Sequence, residues 1–155
     1  MAATRLVNTT PCSATRGTRM VDQTFDRSNA VYVKNVHQKG RSVFANVPFK
    51  VGELIERAPT WAFDEVAASL IDKTGLFQYY FVRNLEQDVM TRYVVFGFIS
   101  MVNHSSDPNA QVVWADSDCG AWASIVAIRD IKMNEEITHR YANVSAYPNY
   151  IKFIE

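Results

Sequence analysis

The sequence predicts a mostly β protein with short helices. Three observations point there. Short runs rich in Val, Ile, Phe and Trp recur along the chain, each bounded by Gly, Pro, Asn or Asp. Stretches with a helical period are few and brief. Strands and helices do not alternate in the βαβ manner that builds a doubly wound parallel sheet. A chain of 155 residues, 48% hydrophobic and 21% charged, is large enough to bury one core as a single domain.

Taken in order, Val31, Val33 and Val36 alternate with Tyr32, Lys34 and Asn35, the period of a half-buried strand. Gly40 supplies a turn, and Ser42 to Ala45 forms the next short strand. Pro48 to Gly52 is a second turn, after which Glu53 to Arg57 resumes β structure. Asp64 can cap a helix carrying Val66, Ala67, Leu70 and Ile71, with Gly75 as its stop. A second helical stretch is expected over 76–84. From Tyr93 to Met101 the pattern fits a helix or a buried strand equally. Gln111 to Ala115 and Trp122 to Ile128 are strands joined across Asp116 to Gly120.

Composition excludes several function classes. The 16 basic and 16 acidic residues cancel, which removes the electrostatic footprint of a general nucleic-acid binder. After Ser28 the balance is 12 basic to 14 acidic, compatible with a basic peptide partner but too even to argue for one. No apolar run reaches the ~18 residues of a membrane span. Cys12 and Cys119 cannot form a disulfide framework or a tetrahedral zinc site, and His37, His104 and His139 lack a paired-ligand spacing, so no metal is expected. Residues 1–28 read as an N-terminal tail and 29–155 as the folded domain. The tail holds Arg5, Arg16 and Arg19 with no acid before Asp22, a composition shared by mitochondrial transit peptides and by short unstructured tails. The compartment stays open, with nucleus or cytoplasm the default.

The most informative stretch is Asn103-His104-Ser105-Ser106-Asp107-Pro108-Asn109-Ala110, directly after the apolar run Val94 to Val102. Side chains that bond locally to backbone mark a sharp exit from the core, able to present amides and carbonyls to a ligand. This segment resembles the NHSxxPN signature of SET-domain lysine methyltransferases. Lys39-Gly40-Arg41-Ser42-Val43-Phe44-Ala45 is similar to that family's first glycine turn, and 49–56 to the hairpin and strand after it. Ile128 to Tyr141, with Asn134-Glu135-Glu136-Ile137-Thr138-His139-Arg140, resembles the closing segment that ends on the catalytic tyrosine. The four pieces occur in the family's order and cover roughly residues 30–150.

The resemblance implies a SET-domain fold, small curved β-sheets around a knot-like C-terminal segment, distinct from Rossmann-type methyltransferases. It favours a short helix and turn leading into Asn103. It implies methyl transfer from S-adenosyl-L-methionine to the ε-amine of a lysine in a protein or peptide, a histone tail being one class of substrate. The reaction is an in-line displacement that needs collinear reactants and a neutral amine, which an aromatic channel favours by desolvation; no strong base is needed. Tyr141 takes the catalytic place, its hydroxyl and nearby carbonyls accepting weak C–H···O contacts from the methyl group. Lys39, Gly40, Arg41 and Ser42, with Asn103, His104 and Tyr141, take the cofactor-binding places. Tyr79, His139 and Tyr147 take places along the substrate channel. Tyr147, Tyr150 and Phe153 either fold back over that channel or form a loosely docked tail.

Three residues depart from the family's pattern. Ser42 stands where glycine is usual, which predicts backbone strain and weakened cofactor affinity. His139 stands two residues before Tyr141, where an aromatic or aliphatic residue governs how many methyl groups are added. A histidine there is expected to bond a water or the amine, and to titrate near neutrality. Arg140 replaces a small or acidic residue. The chain resembles minimal SET proteins, without flanking cysteine clusters, and such proteins can dimerise. The alternative to an enzyme is a SET-fold binding or scaffold module with impaired catalysis.

Overall fold

The computed structural model describes residues 29–84, 90–142, 144, 147 and 153. Nine strands dominate them: β1 Val31–Val36, β2 Gly40–Ala45, β3 Leu54–Phe63, β4 Tyr80–Asn84, β5 Met90–Val95, β6 Asn103–His104, β7 Ala110–Ser117, β8 Gly120–Ala127 and β9 Thr138–His139. One α-helix, α1 Glu65–Ile71, and 3-10 turns at Gly75–Tyr79 and Phe98–Met101 complete the elements named here. The strands form a β1-β2 hairpin, a five-stranded sheet in the order β4-β5-β3-β8-β7, and a parallel pair β6-β9. This is the mostly β class that the sequence predicts.

β3 is the spine of the large sheet, and it changes partner midway. Leu54 to Pro59 pair with β8, and Thr60 to Phe63 pair with β5. Pro59, which has no N–H to give, sits at the hand-over. The expected strand over Glu53 to Arg57 therefore runs six residues further, to Phe63. A register shift between Leu54 and Glu56 leaves Ile55 without a partner across the ladder. Ile55 is buried, and the Glu56 carboxylate reaches inward to the backbone N–H groups of Phe98 (3.0 Å) and Ile99 (2.6 Å). Burial raises the Glu56 pKa and these two donors oppose the rise.

Two helical expectations are corrected. Asp64 does cap α1, accepting from the Ala67 N–H at 2.9 Å, but the helix ends at Ile71 rather than Gly75. The stretch 76–84 is a 3-10 turn followed by β4, because Tyr80 to Asn84 find a register against β5 from Val94 to Met90. Local pattern could not reveal that partner. The ambiguous stretch from Tyr93 divides: β5 ends at Val95, and the 3-10 turn Phe98–Met101 leads into Asn103. Residues 1–28 and Tyr150 lie outside the described residues.

The core collects Val43, Ala45, Phe49, Ile55, Ala58, Val95, Ile99, Val102, Ala123, Ile125, Ile131 and Ile137 from the β1-β2 hairpin, the five-stranded sheet and the segments between strands. The alternation Ala123, Ile125, Ala127 puts one face of β8 into it. Residues 128–141 then lace past β2. The Phe49 and Ile131 backbones exchange hydrogen bonds of 2.9 and 2.8 Å. Ala45 N–H donates to Glu135 C=O at 2.9 Å, and Ile137 N–H to Val43 C=O at 2.8 Å. Beyond that the chain enters β9 beside β6.

Gly97 is required by close approach: a Cβ there would stand 2.6 Å from Glu56 Oε1 and 2.9 Å from Ala58 Cβ. Two variants test the contact. Glu56→Ala strands two backbone donors and should cost about 2–4 kcal/mol in urea unfolding. Gly97→Ala should cost about 1–3 kcal/mol by overpacking. Unchanged midpoints in both would remove Glu56 as the anchor of the turn before Asn103.

Candidate functional site

The site is assembled where the closing segment crosses the exit at Asn103. Asn109, 1% exposed, spans the crossing. Its amide donates to Glu136 C=O (2.7 Å) and Glu135 Oε1 (3.1 Å), and its Oδ1 accepts from Thr138 N–H (2.9 Å). Glu135 also accepts from the Lys132 N–H and pairs with Arg129 at 2.7 Å. Burial disfavours its charge, but Lys132 N–H, Asn109 and Arg129 outweigh that and hold its pKa below the usual value. The exit is tightened by Asp107 N–H donating to Ser105 Oγ and by Arg140, which donates to Ser106 C=O.

Asn103 ties three segments together. Its Nδ2 lies 2.7 Å from Ser42 Oγ, 3.2 Å from Arg41 C=O and 3.2 Å from Glu136 Oε1. Glu136 in turn pairs with Lys39 at 3.3 Å. The strain expected at Ser42 is absent. It lies within extended β2, is not among the residues with positive φ, and is completely buried, its hydroxyl accepting from Asn103. A glycine there would lose that bond.

Lys39, Gly40, Arg41, Asn103 and His104 line one cavity of about 250 Å³, with Tyr79, Tyr141, Tyr147 and Phe153. Ser42 lies behind this wall, bonded to Asn103. Tyr79 thus faces the smaller cavity and is not among the residues lining the larger one.

That larger cavity, about 750 Å³, also has Tyr141 in its wall. Phe77, Tyr80, Phe81, Trp114, His139 and Tyr147 give it aromatic walls, and Asp72, Arg92 and Arg140 are its charged residues. Both cavities include Gln78, Ser100, Tyr141 and Tyr147 in their walls. Tyr141 is fixed at this junction. Its N–H donates to His104 Nδ1 (3.0 Å) and its hydroxyl to Val102 C=O (3.1 Å). Tyr147 stacks on its ring at 5.9 Å, and Phe153 meets it edge-on at 6.0 Å. Both residues therefore pack against the junction, while Tyr150 lies outside the described residues. Burial first, then Tyr147 and Tyr79, push the Tyr141 pKa well above the ordinary phenol value, so the hydroxyl keeps its proton.

His139 does not titrate near neutrality as expected. Burial lowers its pKa to about 4, with His104 adding to the fall and a backbone hydrogen bond at Arg140 opposing it. The ring is neutral at pH 7. It stacks on Phe81 at 5.7 Å and meets Tyr141 at 4.9 Å, and its Nε2 is buried with no hydrogen-bond partner.

Phe81, Trp114 and Glu56 have no site role in the sequence reading. Their signal is weak: Phe81 and Trp114 are strand aromatics, brought together at 6.3 Å only by the sheet, and Glu56 is one acid among 16. Among the described residues no group of three or more His, Cys, Asp or Glu is placed to hold a metal, and no helix is long and apolar enough to cross a membrane.

The buried neutral imidazole predicts a pH dependence of stability. The unfolded ring takes a proton near pH 6.5 and the folded ring only near 4, so stability present above pH 6.5 is lost as pH falls through that window. The loss amounts to about 3 kcal/mol. Urea unfolding of wild type and His139→Phe from pH 7.5 to 4.5 should show a shallower slope in the variant. Identical slopes would contradict a buried neutral His139.

Residues 40–142, about two thirds of the chain, match the SET domain family. No curated protein matches. Among solved structures, the chain is similar to a Plasmodium falciparum protein described as a candidate histone methyltransferase. The two share 21% identity and a TM-score of 0.57 over 74% of this chain and 94% of that one. It is also similar to the apo Polycomb Repressive Complex 2 of Chaetomium thermophilum carrying Ezh2 mutations (22% identity, TM-score 0.58, 78% of this chain). An inhibitor-bound, humanised form of that complex gives 22% identity and a TM-score of 0.55 over 78% of this chain. In both of these the match spans 16% of the other chain. With the curled sheets, the laced closing segment and the family match in agreement, the chain belongs to the SET-domain family.

Proposed function

We propose that the chain is a protein-lysine N-methyltransferase using S-adenosyl-L-methionine. One observation carries this reading: two cavities of different character meet at the hydroxyl-bearing ring of Tyr141. A two-substrate group transfer needs such a junction, with donor and acceptor entering from opposite sides and aligned at one point.

The smaller cavity suits the methyl donor. Lys39 and Arg41 offer cationic side chains to its carboxylate, and Gly40 has open space where a Cβ would stand, so backbone can approach closely. Tyr147 and Phe153 offer aromatic faces to its base. Asn103 and His104 line this cavity, with their side chains engaged within the protein. When bound, S-adenosyl-L-methionine supplies an electrophilic methyl group. Tyr141 then acts as a fixed dipole and not as a base, because its proton is retained and directed at Val102 C=O. Its oxygen lone pairs remain available for C–H···O contacts with the methyl. Phe81, Trp114 and Tyr147 give the lysine an apolar approach that favours the neutral amine. The acceptor is a lysine-bearing protein or peptide, a histone tail being one class.

The scaffold alternative loses its main support, since Ser42 is unstrained and Arg140 has a structural bond to Ser106. Asn103→Ala would loosen the fold as well as the site, so it is a poor test. Tyr141→Phe removes one oxygen. Methyl transfer from labelled S-adenosyl-L-methionine to lysine peptides should fall on the order of 10²-fold in this variant, with calorimetric affinity for the donor retained. Arg41→Glu, on the exposed rim, should weaken donor binding roughly tenfold at low salt. Full activity in Tyr141→Phe, or no donor binding to folded wild type, would overturn the reading.

A further inference from the structure

We propose that the Arg83–Asp116 ion pair latches the two edges of the large sheet together, and so positions the Phe81–Trp114 wall against which the acceptor side chain packs. The proposal rests on the methyltransferase reading above and adds to it two positioning residues that line neither cavity.

The order β4-β5-β3-β8-β7 leaves β4 and β7 at opposite edges of the sheet. Both nevertheless line the larger cavity, β4 through Phe81 and Val82, β7 through Val112 and Trp114. The sheet therefore curls until its edges face each other. Strand alternation places Phe81 and Arg83 on one face of β4, and Trp114 and Asp116 on one face of β7. The curl sets ring against ring and charge against charge. Phe81 meets Trp114 edge-on at 6.3 Å, and Arg83 donates to both carboxylate oxygens of Asp116, at 2.6 and 2.7 Å.

An exposed ion pair is ordinarily worth little, because solvent screens it and two side chains must be held still. This one differs in its geometry and in its backing. The contact is bidentate, the strongest arrangement of a guanidinium and a carboxylate. The Arg83 side chain is only 16% exposed, and its guanidinium carbon lies over the Trp114 ring, 5.3 Å from the centroid. Tyr93, opposite Phe81 in the β4–β5 ladder, packs on the same indole at 5.0 Å. The ion pair thus holds Trp114 as well as the strand ends. Phe81 in turn stacks on His139 at 5.7 Å, and His139 meets Tyr141 at 4.9 Å. A displacement of either edge passes along this row of touching rings to the junction.

The test uses n-butylamine as a lysine side-chain probe, titrated into protein saturated with S-adenosylhomocysteine and read by the ¹⁵N indole signal of Trp114. Asp116→Asn is the first variant, because the Asp116 side chain is 67% exposed and its replacement leaves the core untouched. It should weaken amine binding about three- to tenfold, with calorimetric affinity for S-adenosylhomocysteine unchanged. Arg83→Met should weaken it at least as much, and the double variant should be no worse than Arg83→Met alone. Arg83→Lys, which keeps the charge but not the fork, should restore part of the affinity. Unaltered amine affinity in Asp116→Asn, or losses that add in the double variant, would overturn the latch while leaving methyl transfer standing. An equal fall in affinity for both ligands, the mark of a general loosening, would overturn it too. Failure of folded wild type to bind S-adenosylhomocysteine overturns the methyltransferase reading, and this proposal with it.

Discussion

The polar clamp of Asn103, Asn109 and Glu136 is the constraint on which the rest of the molecule depends. Two buried or half-buried amides hold residues 128–141 against both β2 and the exit loop. Buried amides of this kind are costly unless fully satisfied and specific once they are. Here each bonds to segments far apart in sequence. Without the clamp, β9 would lose its place beside β6, and Tyr141 would lose its bond to His104 and its approach to Val102.

From that clamp the two cavities follow. The wall of the smaller cavity includes residues that the clamp itself recruits: Lys39 through Glu136, and Arg41 through Asn103, with Ser42 behind it. The wall of the larger cavity belongs to the large sheet and the 3-10 turn, through Phe81, Trp114 and Phe77. Tyr141 stands where the two systems meet. Its raised pKa and the lowered pKa of His139 share one cause, removal from water, which leaves two polar groups uncharged at the junction.

Much of this was legible in the residues. The hairpin of β7 and β8, the capping of α1 by Asp64, and the exit at Asn103 follow from local pattern and turn chemistry. What escaped depended on partners distant in sequence. β4 was hidden because its Tyr80-Phe81-Val82 run fits a short helix or a strand by local pattern, and only β5 supplies the register. The extension of β3 through Pro59 was hidden because a proline normally ends a strand, unless the chain changes partners there. Ser42 was misjudged for a different reason. Its backbone angles were inferred from the residue usual at that place, whereas its extended conformation carries no penalty for a side chain, and its hydroxyl bonds Asn103. The neutrality of His139 required knowing that Phe81 and Tyr141 enclose it.

The central claim is that donor and acceptor enter separate cavities and meet at Tyr141. A crystal structure of the chain with S-adenosylhomocysteine and n-butylamine tests it most directly. The account predicts the nucleoside ligand in the cavity of Lys39, Gly40 and Arg41, its sulfur directed at the Tyr141 hydroxyl, and the amine in the cavity of Phe81 and Trp114 on the opposite side. Both ligands in one cavity, or a sulfur directed away from Tyr141, would contradict it.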